Sequence, residues 1–464
     1  MLSLRLRVTD IFSCECAFVL FLFVAAYKSS PLALELEGHV DLTVLTMSIS
    51  AVAGLAVLGR ALTPPNGLQL GFAAAYVILI LLAIGSYGVT TIGDQDALLK
   101  LQKLTVFNTF AVVVPLFLIN SPERVERLLR LILTFAMVVS LQAVVGSRSA
   151  EDVRFIGAFG TEHYHALGHS SGIALVIVSS ALLKERGRLG RFVLAGLAAI
   201  AAFALFLSST RQALVAVFPA LLILLPRFRR QRFQWRTLRR LLTVSACAVL
   251  LFLGVRDYFL AGTDLNHIWT RMLALFAGEG GDVIIESDRP VLWVDGVNLW
   301  LTRPFLGAGF GGFPIWGETG VRHPHNFFIE LLAELGIVGL AIGAFLAGLA
   351  VFAIGRERRG QTVSSVATVR AVWVFLFSCA MLSGDLTDNR MMFAFMAFCL
   401  IRGEPAARRG RSDWGFGRLV EGSSRSYHPP QPIALRLGGD SSEVKRPHIS
   451  ADPAVAPSLS PRQL

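Results

Sequence analysis

The chain is a succession of apolar runs, many of them near the roughly 17–25 residues a helix needs to cross a bilayer. Backbone groups inside lipid have no water to bond, so only helices and closed barrels span it. The runs show no period-two alternation, which argues against a barrel. The sequence therefore predicts an all-α polytopic membrane protein. About twelve spans are read this way. They are a first one ending at Tyr27, Val40–Leu58, Leu68–Gly88, Leu104–Ile119, Leu128–Gly146, Ala166–Leu183, Phe192–Ser208, Ala213–Pro226, Leu241–Val255, Phe327–Ile354, Val369–Ser383 and Met391–Ile401. No small-x-small cleavage site precedes Lys28, so the first run is expected to be a retained span rather than a signal peptide.

Charge gives the orientation. The chain carries a formal net charge of +11 with only 16% charged residues. Its cations lie between the apolar runs, so membrane topology accounts for them and a nucleic-acid partner is not expected. With the N-terminus inside, the inner links hold 21 Lys/Arg, including the run 227–240, against 12 in the outer links. The positive-inside rule then predicts both termini in the cytoplasm. Four regions follow: residues 1–255 with spans one to nine, 256–326 as a large outer loop, 327–402 with the last three spans, and a Pro-, Ser- and Arg-rich cytoplasmic tail over 403–464. The tail lacks apolar periodicity and is expected to be disordered or to touch anionic lipid. The loop holds Trp269, Trp293, Trp300 and Trp316 and is expected to form short interfacial helices. Five cysteines, all in or beside spans and with no CxxC pair, predict neither a disulfide framework nor a zinc ribbon.

The unusual polar residues gather in one stretch, 287–340. Arg289 opens it. Gly307, Gly309, Gly311 and Gly312 mark a tight turn, and His323, Pro324, His325 and Asn326 precede a helix bearing Glu330 and Glu334. Ionisable residues beside a membrane helix are costly and by default functional. Under the predicted topology, Arg211 in LSSTRQA, Arg289, Arg322 and Arg390 all face outside. A guanidinium fixed at a membrane surface suits a phosphate, whose oxygens it binds bidentately; snorkelling to lipid head groups is the plainer alternative. His325 has the right chemistry to take a proton from a hydroxyl, or it simply begins a helix. Glu330 and Glu334 share a helical face. They orient His325, line a polar cavity, or act as N-terminal charges, the last two being preferred. His163, His165 and His169 in EHYHALGH lack the HExxH order, so a metal site is not expected there.

The motifs LSSTRQALVA, DRPVLWVDGVNLWLTRPFLGAGFGGFP and HPHNFFIELLAELGIVGL resemble those of the O-antigen ligase and polymerase superfamily of bacterial envelope glycan assembly. The resemblance covers about residues 205–400; the N-terminal half is similar in hydropathy alone. Thr210 stands where a serine is usual, and EHYH replaces a plainer segment. The resemblance implies a GT-C-like protein of the bacterial inner membrane, with a large periplasmic loop and its active site on the periplasmic side. It implies an inverting transferase, independent of metal and cofactor, that moves a glycan from undecaprenyl diphosphate to an acceptor hydroxyl. Arg211 and Arg289 then resemble diphosphate ligands and His325 the base, with Arg322, Asn326, Glu330 and Arg390 as further substrate-binding candidates. The acceptor is the lipid A core in a ligase and another carrier-linked glycan in a polymerase. A protein O-oligosaccharyltransferase is a third possibility, and a polysaccharide or lipid transporter is the reading from another class.

Overall fold

The computed structural model describes residues 8–401 apart from 29, 62–63, 147–163, 186, 225–288 and 356–363. Among these residues every regular element is helical. We label twelve helices: α1 Cys14–Leu22, α2 Leu42–Ala61, α3 Gly67–Thr90, α4 Gln95–Leu118, α5 Pro122–Gly146, α6 Tyr164–Leu182, α7 Arg188–Leu207, α8 Arg211–Leu224, α9 Arg289–Thr302, α10 Phe327–Gly355, α11 Ser364–Leu382 and α12 Arg390–Cys399. Eight of the described helices, α2–α7, α10 and α11, are long and apolar enough to cross a membrane. This bears out the helical membrane architecture. The ninth expected span, the part of the expected loop over 256–288, and the tail lie outside the described residues.

One expected span is interrupted, and two others match their expected length but are too short to cross a bilayer by themselves. The first run is broken rather than continuous, with single turns Val8–Ile11 and Val24–Tyr27 flanking the nine-residue α1. Ser13 restarts the helix by accepting a hydrogen bond from the Cys16 amide. Asp10 and Glu15 are buried within this segment, which a free lipid-facing span would not tolerate. They face Arg127 at 3.2 Å and Arg124 at 3.8 Å on the first turns of α5. Helix α8 has 14 residues and α12 only 10. Every residue of α12 from Met392 to Cys399 is buried, so this short helix is enclosed by protein, and Phe393, Phe395 and Phe398 sit in the central cluster.

Helix α4 starts nine residues before its expected beginning at Leu104. Lys100, read from the sequence as a link charge, is therefore a buried helical residue. The helix widens twice into π turns, at Lys103–Asn108 and Val114–Leu118. Pro115 has no N–H to give the Ala111 carbonyl, so the ordinary ladder is broken there, and at the end of this turn Ile119 donates five residues back to Val114. Helices α6 and α11 approach closely because Gly172 leaves room for the Phe375 ring; a Cβ there would collide with it.

Candidate functional site

The site is built around a break in α10. Gly336 adopts φ 65°, ψ −162° inside this helix, a conformation essentially confined to glycine. A break in a membrane helix leaves amides and carbonyls unpaired, which lipid cannot satisfy. The segment Pro304–Gly311 fills the gap with its own backbone. Ala308 and Gly309 donate to the carbonyls of Ala333 and Glu334 at 2.8 and 3.0 Å, while Ile337 and Val338 donate to Pro304 and Phe305 at 2.9 and 3.4 Å. The approach is too close for side chains: a Cβ on Gly307 would strike the Glu334 backbone, and one on Gly336 the Phe305 carbonyl. The Gly-rich stretch is thus a tight turn, as expected, whose backbone completes a broken helix.

Lys100 binds this arrangement together from α4. Its Nζ lies 2.5 Å from Glu330 Oε1, 2.8 Å from Glu334 Oε1 and 4.0 Å from Asp385 Oδ1. The second oxygens are also taken: Glu330 Oε2 accepts from Leu386 N, and Glu334 Oε2 from Gly311 N. Four segments of the chain therefore meet at one ammonium. Glu330 is wholly buried, and its two oxygens are bonded to Lys100 and Leu386 N, so it helps to hold the scaffold.

His325 sits just ahead of α10 with φ 56°, a left-handed backbone. Histidine tolerates it better than most residues, and such strain collects at functional sites. Asn326 accepts from the amides of Phe328 and Ile329 at 3.0 and 3.1 Å and donates to Met381 O at 3.0 Å. Its amide caps α10 and ties it to α11. His323 stacks edge-on to His325, with ring centroids 4.3 Å apart. Burial, outweighing the pull of Asp385, keeps the His323 imidazole below its ordinary range. Asp385 anchors the turn between α11 and α12, accepting from Thr387 N and Oγ1 at 2.7 and 2.9 Å. Burial alone would lift its carboxyl, but Lys100 and the Thr387 bonds overcome this and hold it below the usual carboxylate range.

The LSSTRQ motif makes a second strained turn. Ser209 has φ 51°, and Thr210 Oγ1 donates to Tyr164 O at 3.1 Å. Gly168 permits this contact, since a Cβ there would lie 2.6 Å from Thr210 Oγ1. The turn fixes α7 and α8 against α6 and places Arg211 at the first position of α8.

These pieces enclose a cavity of about 780 Å³. His325 and His323 line it, together with Lys28, Lys103, Arg322 and Arg390 as cations and Asp385 and Asp388 as anions. Lys103 pairs with Asp388 at 2.8 Å on an exposed edge. The structure thus gathers three of the expected site residues, His325, Arg322 and Arg390. Arg211 and Arg289 begin α8 and α9, and neither is among the described lining residues; the neighbour of Arg211, Gln212, does line the cavity. Sequence reasoning missed Lys100, whose partners lie 230 and 234 residues away, and the cavity-lining Lys28 and Lys103. His165 and His169, whose role it left open, both line the cavity; His163 lies outside the described residues. No group of three His, Cys, Asp or Glu side chains is placed to hold a metal among the described residues. Such a cavity can hold a polyanionic group against four cations and bring a hydroxyl to an imidazole.

Residues 196–344 match the family model described as O-antigen ligase. The matched segment includes Arg211, Arg289, the Gly-rich turn, His325 and the α10 break. No curated protein matches the chain.

Proposed function

The match over 196–344 makes the chain a member of the O-antigen ligase superfamily, and on that premise we propose that it moves a glycan from an undecaprenyl diphosphate carrier to an acceptor hydroxyl on the lipid A core. The observation that carries the reading is the shared cavity: His325 opens onto the same space as Lys28, Lys103, Arg322 and Arg390. As the bond from the anomeric carbon to the diphosphate breaks, negative charge grows on the leaving group. Fixed cations stabilise that charge more in the transition state than in the ground state. Arg322 and Arg390 meet the diphosphate from the cavity wall, and Arg211 and Arg289, at the starts of α8 and α9, are proposed as further ligands. The leaving group needs charge rather than a proton, so neither a metal nor a general acid is required.

The acceptor hydroxyl is a poor nucleophile until it loses its proton. An imidazole nitrogen of His325 takes that proton as the oxygen attacks the anomeric carbon. Attack from the face opposite the diphosphate inverts the configuration. The carrier is a lipid, which accounts for a catalytic cavity built among membrane helices, and the site faces the periplasm in the bacterial inner membrane with both termini inside.

The test is single-turnover transfer by purified protein, with donor binding measured separately. His325→Ala is expected to bind donor normally and to slow transfer roughly 10²–10⁴-fold. His325→Asn, which hydrogen-bonds but cannot take the proton, is expected to be nearly as slow; an active His325→Asn protein would remove the base assignment. The glycan profile of a deletion strain separates ligase from polymerase. Bare core with accumulated long carrier-linked chains marks the ligase, and single repeats on the core mark the polymerase.

A further inference from the structure

A second cavity adjoins the first. It has a volume of about 600 Å³ and lies between the starts of α2 and α4, beside the Gly-rich turn. The two cavities share Lys103, Phe107, Arg322 and Asp385 in their walls, so two of the cations proposed to meet the diphosphate stand between them. Along α4 the wall of the second cavity changes character. Asp96 stands in the first turn, Lys100 and Lys103 follow, and Val106 lies deeper, about 15 Å further along the helix. Val44 and Met47 line the same space from α2. Val44, Leu99 and Val106 are 44%, 54% and 45% exposed, although they line a cavity between two helices long and apolar enough to cross a membrane. The cavity is therefore open sideways, on the flank that such helices turn to lipid.

Most of its charges are already committed. Lys100 holds Glu330 and Glu334, Asp385 bonds Thr387, and Asp41 caps α2 by accepting from the Thr43 and Val44 amides at 2.7 and 3.1 Å. Lys103 reaches Asp388 on an exposed edge, where an ion pair is weak and easily exchanged. Arg322 is exposed, with no carboxylate partner among the described residues. These two cations are the ones an anionic group can recruit. A groove with cations beside the reaction cavity, apolar further along and open to lipid, fits a molecule with an anionic head and a long apolar chain. We propose that the second cavity holds the polyprenyl chain of the donor next to its diphosphate, so that the chain leaves the reaction cavity between α2 and α4 into the bilayer. One cavity of this size takes one linear chain, which favours the carrier over an acceptor lipid with several acyl chains. This rests on the carrier-linked donor proposed above.

Two probes read the head and the chain separately: undecaprenyl diphosphate, and dimethylallyl diphosphate, which carries the same head on a single isoprene unit. Binding of each is measured to the full chain in lipid nanodiscs. Val106→Trp fills the deeper part of the groove and is expected to weaken undecaprenyl diphosphate at least about fivefold, while leaving dimethylallyl diphosphate unchanged. Val106→Ala, which fills nothing, is expected to leave both unchanged. Equal weakening of both probes by Val106→Trp overturns the proposal, because the substitution then acts at the head. Unchanged binding of undecaprenyl diphosphate also overturns it and leaves the carrier reading standing. An effect of Val106→Trp confined to binding of the lipid A core overturns it in favour of the acceptor lipid. If the wild-type protein does not bind undecaprenyl diphosphate, the carrier reading fails and the groove assignment falls with it.

Discussion

Replacing Lys100 with methionine tests the architecture of the site directly. The side chain keeps its length and loses its charge. Glu330 and Glu334 are then left 0% and 1% exposed with no counter-ion. Removing one partner of a buried ion pair costs about 3–5 kcal/mol, because the remaining charge stays desolvated. Each carboxylate keeps one backbone donor, Leu386 N or Gly311 N, which softens the loss without cancelling it. Lys100→Met is therefore expected to lower stability by about 3–5 kcal/mol. The cost belongs to the stranded charges, so neutralising them restores stability: adding Glu330→Gln and Glu334→Gln is expected to recover at least about 2 kcal/mol. Denaturant unfolding of the purified protein in mild detergent reads both values. The reasoning is refuted if Lys100→Met lies within about 1 kcal/mol of wild type, or if the triple variant is no better than the single.

Two further outcomes follow from the same geometry. Gly336→Ala is expected to lose about 1–3 kcal/mol from a backbone conformation essentially confined to glycine, with more from the clash against the Phe305 carbonyl; a melting temperature equal to wild type would contradict it. His323 titrates below its ordinary range when folded, so the unfolded chain binds more protons, and stability is expected to fall as pH drops below about 6.5. His323→Gln is expected to flatten that slope in melting curves taken from about pH 8 to about pH 5, and an unchanged slope would contradict the assignment.

Hydropathy made the long helices legible. Runs such as Leu68–Gly88 and Phe327–Ile354 correspond closely to α3 and α10, because a lipid-facing helix advertises itself in every residue. The same signal misled at the first run, since Asp10 and Glu15 are neutralised by arginines more than a hundred residues away, which no local pattern records. It misplaced Lys100 for the same reason: a lone lysine ahead of an apolar run reads as a loop until its carboxylates are found on another helix. The i, i+4 spacing of Glu330 and Glu334 was legible as a common face, but not what that face meets. His325, Arg322 and Arg390 were each visible as costly residues, and only the folded chain brings them to one cavity. The break at Gly336 was invisible because a glycine between Leu335 and Ile337 leaves the apolar run uninterrupted.

A broken helix beside a cavity invites description as a hinge, but the break in α10 has a different mechanical consequence. Backbone bonds run across it in both directions, from 308 and 309 into its first half and from 337 and 338 back to 304 and 305. Bending the helix at Gly336 would have to rupture these bonds together. The two halves of α10 and the segment between Pro304 and Gly311 therefore move as a single stiff strut. On the lipid-linked donor proposed above, admission would fall to the other helices around the cavity, while this strut holds the start of α10, and with it His325, in place.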